Sequence, residues 1–250
     1  MPRQPTPPHY IWGRKQEQRS KRFQTRASVV RHLIDRWTEP EMRAADVSGG
    51  AGRWLNTLAP KFEQFNHLDL SPDALEVARA DHRELTNVNF GILDLVRNDA
   101  SSLPNSSFLP AGQWEVVFCL DTLLYAGDFV ETVLTNLHSW LSPGAIVILE
   151  IPTRLRAQVS RSIKRARYDG PERTFSPWEI RSLVNEHGYE CLDVAYQFNE
   201  LGRRVHQTLI ARGLTGYVPW PSTWTYLVLR PIHGSASQNQ SVSQLLTNAR

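Results

Sequence analysis

The chain has 250 residues, 41% of them hydrophobic, enough to bury one sizeable core in a single domain. No apolar run reaches a membrane span and the N-terminus lacks the apolar core of a signal peptide, so no membrane partner and a cytoplasmic location are expected. The net charge of +3 is mild, and Cys119 and Cys191 fit no zinc or redox spacing, so neither a metal site nor a disulfide framework is expected.

That small net charge is unevenly spread. Residues 1–36 hold nine cations (Arg3, Arg14, Lys15, Arg19, Lys21, Arg22, Arg26, Arg31 and Arg36) against Glu17 and Asp35. A second cluster, Arg154, Arg156, Arg161, Lys164, Arg165 and Arg167, is followed only by Asp169. Such stretches can steer phosphorylated ligands or RNA, although most charged stretches are simply solvated faces. Residues 1–9 are proline-rich and are read as an unstructured lead. From Gly13 to Trp37 the pattern turns helical. Val29, Val30, Leu33, Ile34 and Trp37 form one apolar stripe, ended by Glu39-Pro40.

The next stretch organises the rest. An apolar run ends in Asp46, followed by Ser48-Gly49-Gly50-Ala51-Gly52 and a helix from Trp54 to Leu58. A strand feeding a helix through a glycine-rich turn lets backbone N–H groups approach a ligand closely. A dinucleotide fingerprint would need glycine at position 55, where Leu55 stands, and a P-loop would need a Lys-Ser/Thr pair, which does not follow. Gln64 to Leu70 reads as a second strand with Asp69 at its end, and Ser71-Pro72-Asp73 starts a helix that runs to Leu85. A carboxylate placed there can accept from both hydroxyls of a ribose.

Asn87 to Leu95 reads as a third strand with Asp94 near its end, followed by a turn-rich loop over 97–113. Trp114–Leu120 is a near-continuous apolar strand, as in a parallel sheet covered on both faces, and it leaves through Asp121 and Tyr125. A helix over Phe129–Trp140, a turn at Leu141–Gly144 and a fifth strand over Ala145–Ile151 complete a βαβ succession. Ser176-Pro177-Trp178-Glu179 opens a further helix that ends at Gly188. Tyr189–Phe198 and Trp224–Leu229 are the last strands, and Gly234–Arg250 is a polar tail. The fold class expected is α/β: a doubly wound, mostly parallel seven-stranded sheet with helices on both faces.

Asp46 with its glycine turn, then Asp69, Asp94, the Asp121 exit and the Pro-Gly turn before strand five occur in one order. That order resembles the class I S-adenosylmethionine-dependent methyltransferases over roughly residues 26 to 230, with Ser48 standing where the family usually has its first glycine. The resemblance implies S-adenosylmethionine as cofactor and S-adenosylhomocysteine (SAH) as product. It implies a cofactor site from Asp46, Ser48, Gly49, Gly50 and Gly52 (amino-acid end), Asp69 and Leu70 (ribose), Asp94 and Leu95 (adenine), and Leu120. Asp121, Tyr125 and Glu150 are the candidate bases, and His187 fits better as a helix C-terminal partner. Residues 1–26 are read as a basic segment in which Tyr10–Arg26 could form a lid, and 27–232 as the catalytic domain. Insertions at 152–173 and 199–222 lie on the substrate side, and 233–250 form the tail. The function expected is methyl transfer to an O or N atom of a small molecule; RNA methylation and a non-catalytic binding role are the alternatives.

Overall fold

A computed structural model describes residues 18–97, 113–151, 175, 177–198 and 222–233. Helix α1 (Lys21–Trp37) starts where the Ser20 hydroxyl accepts from the Phe23 N–H at 3.2 Å. Strand β1 (Ala44–Val47) leads through the glycine turn to α2 (Leu55–Leu58) and a 3-10 turn at Ala59–Lys61. Strand β2 (Phe65–Asp69), α3 (Pro72–Asp81) and β3 (Val88–Ile92) follow. Next come β4 (Trp114–Cys119), α4 (Leu123–Ala126), α5 (Val130–Trp140) and β5 (Leu141–Ile151). The chain closes with α6 (Pro177–Glu186), β6 (Tyr189–Phe198) and β7 (Ser222–Pro231).

The seven strands form one sheet in the order β3-β2-β1-β4-β5-β7-β6. The first five are parallel, and β7 runs antiparallel to both β5 and β6. Strand residues alternate between two apolar layers. Val116 and Phe118 face the layer holding Phe23, Ala27 and Val30 of α1 and Leu55 of α2, while Val117 and Cys119 face Val133 and Leu137 of α5 and Val184 of α6. Helices therefore cover both faces, which is why β4 reads as continuous apolar sequence rather than alternation. On the α1 side Phe62, Phe65 and Phe118 form an aromatic cluster with ring centroids 5.8 to 6.2 Å apart. Burial pushes the Cys119 thiol up to about 12, so it is an inert core residue.

The seven-stranded doubly wound sheet is as expected, and the α1 stripe packs inward as read, with Val30, Leu33 and Ile34 buried. Some element bounds differ; α3, read to Leu85, ends at Asp81. Leu141–Gly144, read as a turn, is the start of β5. The β4–β5 register jumps from Trp114↔Leu141 to Val116↔Ile146, and the extra residues bulge out around Gly144 at φ 81°. The bulge forms because Trp140 and Leu141 are buried beside Trp114 and the Ser142 hydroxyl donates to the Trp114 carbonyl at 3.1 Å, so the strand is pinned on both sides of Pro143-Gly144. The third strand also stops earlier than read, at Ile92, leaving Asp94 in the loop beyond it. Residues 1–17, the insertion at 152–173, most of the one at 199–222 and the tail from 234 lie outside the described residues.

Candidate functional site

β1 pairs with β2 on one side and β4 on the other, so the direction of winding switches between β1 and β4. Ligands of open parallel sheets sit in the crevice at that point, beyond the carboxyl ends of the strands. The glycine turn, Asp69, Asp94 and Asp121 all leave strands at that end.

The turn itself is held in unusual backbone conformations: Ser48 at φ 67°, Gly50 at 58° and Gly52 at 83°. Its amides are used internally, Gly49 N–H donating to the Leu68 carbonyl at 2.9 Å and Gly50 N–H to Asp69 Oδ2 at 2.8 Å. Ser48 is the one non-glycine of the turn in the left-handed region, a conformation costing a residue with a side chain about 1–2 kcal/mol. Replacing it with glycine relieves that cost but loosens the unfolded chain by about 0.4–1 kcal/mol. Ser48→Gly is therefore expected to be neutral to slightly stabilising, within about 1 kcal/mol in urea unfolding.

Two of the glycines are needed for a reason the sequence did not disclose. A Cβ on Gly52 would lie 2.8 Å from Leu55 Cδ1 and 2.9 Å from His82 Cδ2. A Cβ on Gly49 would strike the His67 ring and lie 2.6 Å from Asp46 Oδ2. The lack of a side chain at these positions makes room for protein groups behind the turn. The bare Cα of Gly52 accommodates the protein's own packing.

Asp69 stands at the open side of the turn. Its Oδ2 accepts from Gly50 N–H, and its Oδ1 from Ser71 N–H at 2.9 Å, which fixes the carboxylate plane and leaves further lone pairs. Leu70 beside it is 47% exposed, an apolar side chain held in water next to a fixed carboxylate. Asp94 Oδ1 accepts from the N–H groups of Val96 at 2.9 Å and Arg97 at 3.1 Å, closing its loop, which Asn136 anchors by donating to the Leu95 carbonyl at 2.8 Å. The structure places two expected contact residues inward. Leu95 belongs to the α5-side core and Leu120 to the α1-side core, so at Leu120 the main chain alone reaches the strand end. Asp46 is fully buried under the turn, 3.3 Å from His67 Nδ1, and burial raises its pKa.

The candidate bases fall differently again. Glu150, at the end of β5, is 1% exposed, and both its oxygens lie 2.7 Å from Arg26 Nη2. Its Oε2 also accepts from the Asp121 N–H at 2.7 Å. Asp121 adopts φ 58°, its Oδ1 2.9 Å from Arg26 Nη2 and its Oδ2 3.1 Å from Arg53 Nη1 and 3.3 Å from Trp54 Nε1. Burial alone would lower the Arg26 pKa, but the carboxylates of Asp121 and Glu150 more than offset it and hold it raised. The nearby Tyr226 phenol is pushed up mainly by burial and stays neutral. Tyr125 lies in α4, and its side chain is outside the described residues. His187 closes α6, its Nδ1 2.8 Å from the Leu183 carbonyl, which suits the helix-end role.

Sequence reasoning missed Arg26, Arg53 and His67 as parts of this site. From sequence Arg26 is one of nine N-terminal cations; its position on the inner stripe of α1, between Phe23 and Ala27, is the available signal.

The fold and the arrangement at its switch point are those of the class I S-adenosylmethionine-dependent methyltransferases. Residues 45–147 match a family model described as Methyltransferase domain. No curated protein matches the chain in sequence. Among solved structures it is similar to magnesium protoporphyrin IX methyltransferase from Synechocystis PCC 6803 with bound SAH. Identity is 17% and the TM-score 0.58, over 83% of this chain and 82% of that one. N-methyltransferase NodS from Bradyrhizobium japonicum WM9, in complex with SAH, is 12% identical at TM-score 0.58, over 88% and 91%. The [4+2]-cyclase SpnF is 18% identical at TM-score 0.57, over 86% and 84%, so one scaffold serves more than one chemistry.

Proposed function

We propose that this chain binds S-adenosylmethionine in the crevice between β1 and β4 and transfers its methyl group to an O or N atom of a small molecule. The observation that carries the reading is Asp69: a carboxylate locked between the Gly50 and Ser71 amides, flanked by the exposed side chain of Leu70. That pairing fits a ribose with an adenine beside it, because a fixed acceptor suits two hydroxyls and an exposed aliphatic group suits a ring face. At the glycine turn, Arg53 and Asp121 offer one charge of each sign, 3.1 Å apart, which matches the carboxylate and ammonium of the cofactor's amino-acid end. The cofactor, when bound, supplies an electrophilic methyl carbon. Asp94 remains the proposed adenine acceptor, being held partly open at the loop after β3.

The chain's own part is to bind, orient and exclude water. Glu150 is held by Arg26, and Asp121 pairs with Arg26 and Arg53, so we assign neither of them to proton abstraction and leave Tyr125 as the remaining candidate for moving a proton from the acceptor. Gln18 Nε2 donates to the Arg53 carbonyl at 2.8 Å and its Oε1 accepts from Asn56, which ties the segment before α1 to the glycine turn and supports the lid reading. A small-molecule acceptor is favoured over RNA because Arg26 of the N-terminal cluster is buried on Asp121 and Glu150, and Arg36 pairs at the surface with Asp193 at 3.0 Å. No described helix is long and apolar enough to cross a membrane, and the two free thiols suit a reducing compartment, in keeping with a cytoplasmic protein.

Calorimetry with S-adenosylmethionine and SAH tests the reading. Asp69→Ala should weaken binding about 10- to 100-fold, the worth of hydrogen bonds to a charged acceptor. A chain starting at residue 20 should weaken it several-fold if the lid contributes, with Arg26 and its partners retained. An intact protein that binds neither compound would leave the non-catalytic role in its place.

A further inference from the structure

His67 lies in β2, two residues before Asp69, and its ring is fully buried. A buried imidazole is costly unless its nitrogens find partners. Nε2 lies 3.0 Å from the Gly50 carbonyl oxygen, and Nδ1 lies 3.3 Å from Asp46 Oδ2. A carbonyl only accepts, so Nε2 must carry a hydrogen. Gly50 is thus held at both ends, its carbonyl by His67 and its N–H by the Asp69 carboxylate.

The surroundings are built for that ring. Gly49 lacks the Cβ that would collide with it, and Phe90 packs edge-on with centroids 5.5 Å apart. Behind it, neither oxygen of Asp46 nor His67 Nδ1 meets hydrogen-bond geometry with a partner among the described residues, an arrangement with no evident value to stability alone. A single proton between Asp46 Oδ2 and Nδ1, 3.3 Å apart, would let the two atoms pair. Whichever group holds it, Nε2 keeps its own hydrogen on Gly50. Burial, which raises the Asp46 pKa, favours the form in which the carboxyl donates to Nδ1.

We propose that His67 is a positioning residue. It fixes the Gly50 peptide, with Asp46 setting its tautomer, so that the Gly50 N–H holds the Asp69 carboxylate in the orientation a ribose requires. The proposal rests on the cofactor reading above for its purpose but not for its geometry, and the two can fail separately.

The test combines amide hydrogen exchange at Gly50 in ligand-free protein with SAH calorimetry, on His67→Phe and Asp46→Asn. His67→Phe keeps a ring against Phe90 but has no donor. The Gly50 amide should exchange at least about tenfold faster and SAH affinity should fall about tenfold, while Phe118 in mid-sheet keeps its protection. In Asp46→Asn the new side-chain amide can donate to Nδ1 as a protonated carboxyl would, so Gly50 amide exchange in this variant should stay within about threefold of wild type. Unchanged Gly50 exchange in folded His67→Phe overturns the proposal, as does Gly50 exchange in Asp46→Asn accelerated as much as in His67→Phe. Nitrogen-15 shifts of the wild-type imidazole need no variant: a ring with its hydrogen on Nδ1 and a bare Nε2 overturns it too. Were wild type to bind no SAH, the exchange and tautomer results would still decide the locking of the turn.

Discussion

Arg26→Ala is expected to destabilise the protein by about 3–5 kcal/mol, because it strands a buried carboxylate rather than merely deleting a contact. Arg26 meets Glu150 at 2.7 Å and Asp121 at 2.9 Å from one nitrogen, and its guanidinium lies 5.0 Å from the Trp54 ring centre. Its removal takes away the cation that offsets the desolvation of Glu150, itself 1% exposed. Since whole domains are stable by about 5–15 kcal/mol, the variant should lose a large share of its stability and unfold at a clearly lower urea concentration than wild type. The companion is Arg26→Met with Glu150→Gln, which fills the space and removes both charges while the amide oxygen still accepts from the Asp121 N–H. That double variant should recover most of the loss in urea unfolding. A single variant within about 1 kcal/mol of wild type, or a double variant no better than the single, would show that the pair is not the tie it is taken for.

Gly52→Val should cost about 3 kcal/mol or more, from two independent causes. At φ 83° a β-branched residue is in a region it scarcely visits, and its Cβ would lie within 3.0 Å of both Leu55 and His82. His82 cannot swing aside cheaply, because Nδ1 is 2.9 Å from Asn56 Oδ1 and the ring is buried. The turn would shift instead, carrying Arg53 away from Asp121. SAH affinity should therefore fall together with stability, and Gly52→Ala should show a smaller loss of both. Chemical unfolding and calorimetry on the same samples check this; a Gly52→Val protein as stable as wild type would mean the turn is looser than its contacts imply.

The readable parts were the local ones. A cap serine before Pro72, an apolar stripe at helical spacing in α1 and an acid at the end of each of several strands are carried by neighbouring residues, so they survive being read in isolation. Pro143-Gly144 misled for the same reason: the pair favours a turn locally, but Trp114 on the next strand holds Leu141 in register and turns the same residues into a bulge. Asp46, Asp69 and Asp94 looked alike as strand-end acids. Burial separated them, sinking Asp46 beneath the turn while Asp69 and Asp94 stayed at the rim.

By itself the sequence determined the order of strands and helices, the glycine turn and the carboxylates that leave the strand ends, because hydrophobic period, caps and turn residues act over a few positions. Tertiary structure alone decided that β7 enters between β5 and β6, that Arg26 closes on a glutamate 124 residues away, and that His67 fills the notch left by Gly49. These depend on side chains that meet only after the sheet has assembled, and a buried charge or imidazole is stable only with the partner that assembly brings to it.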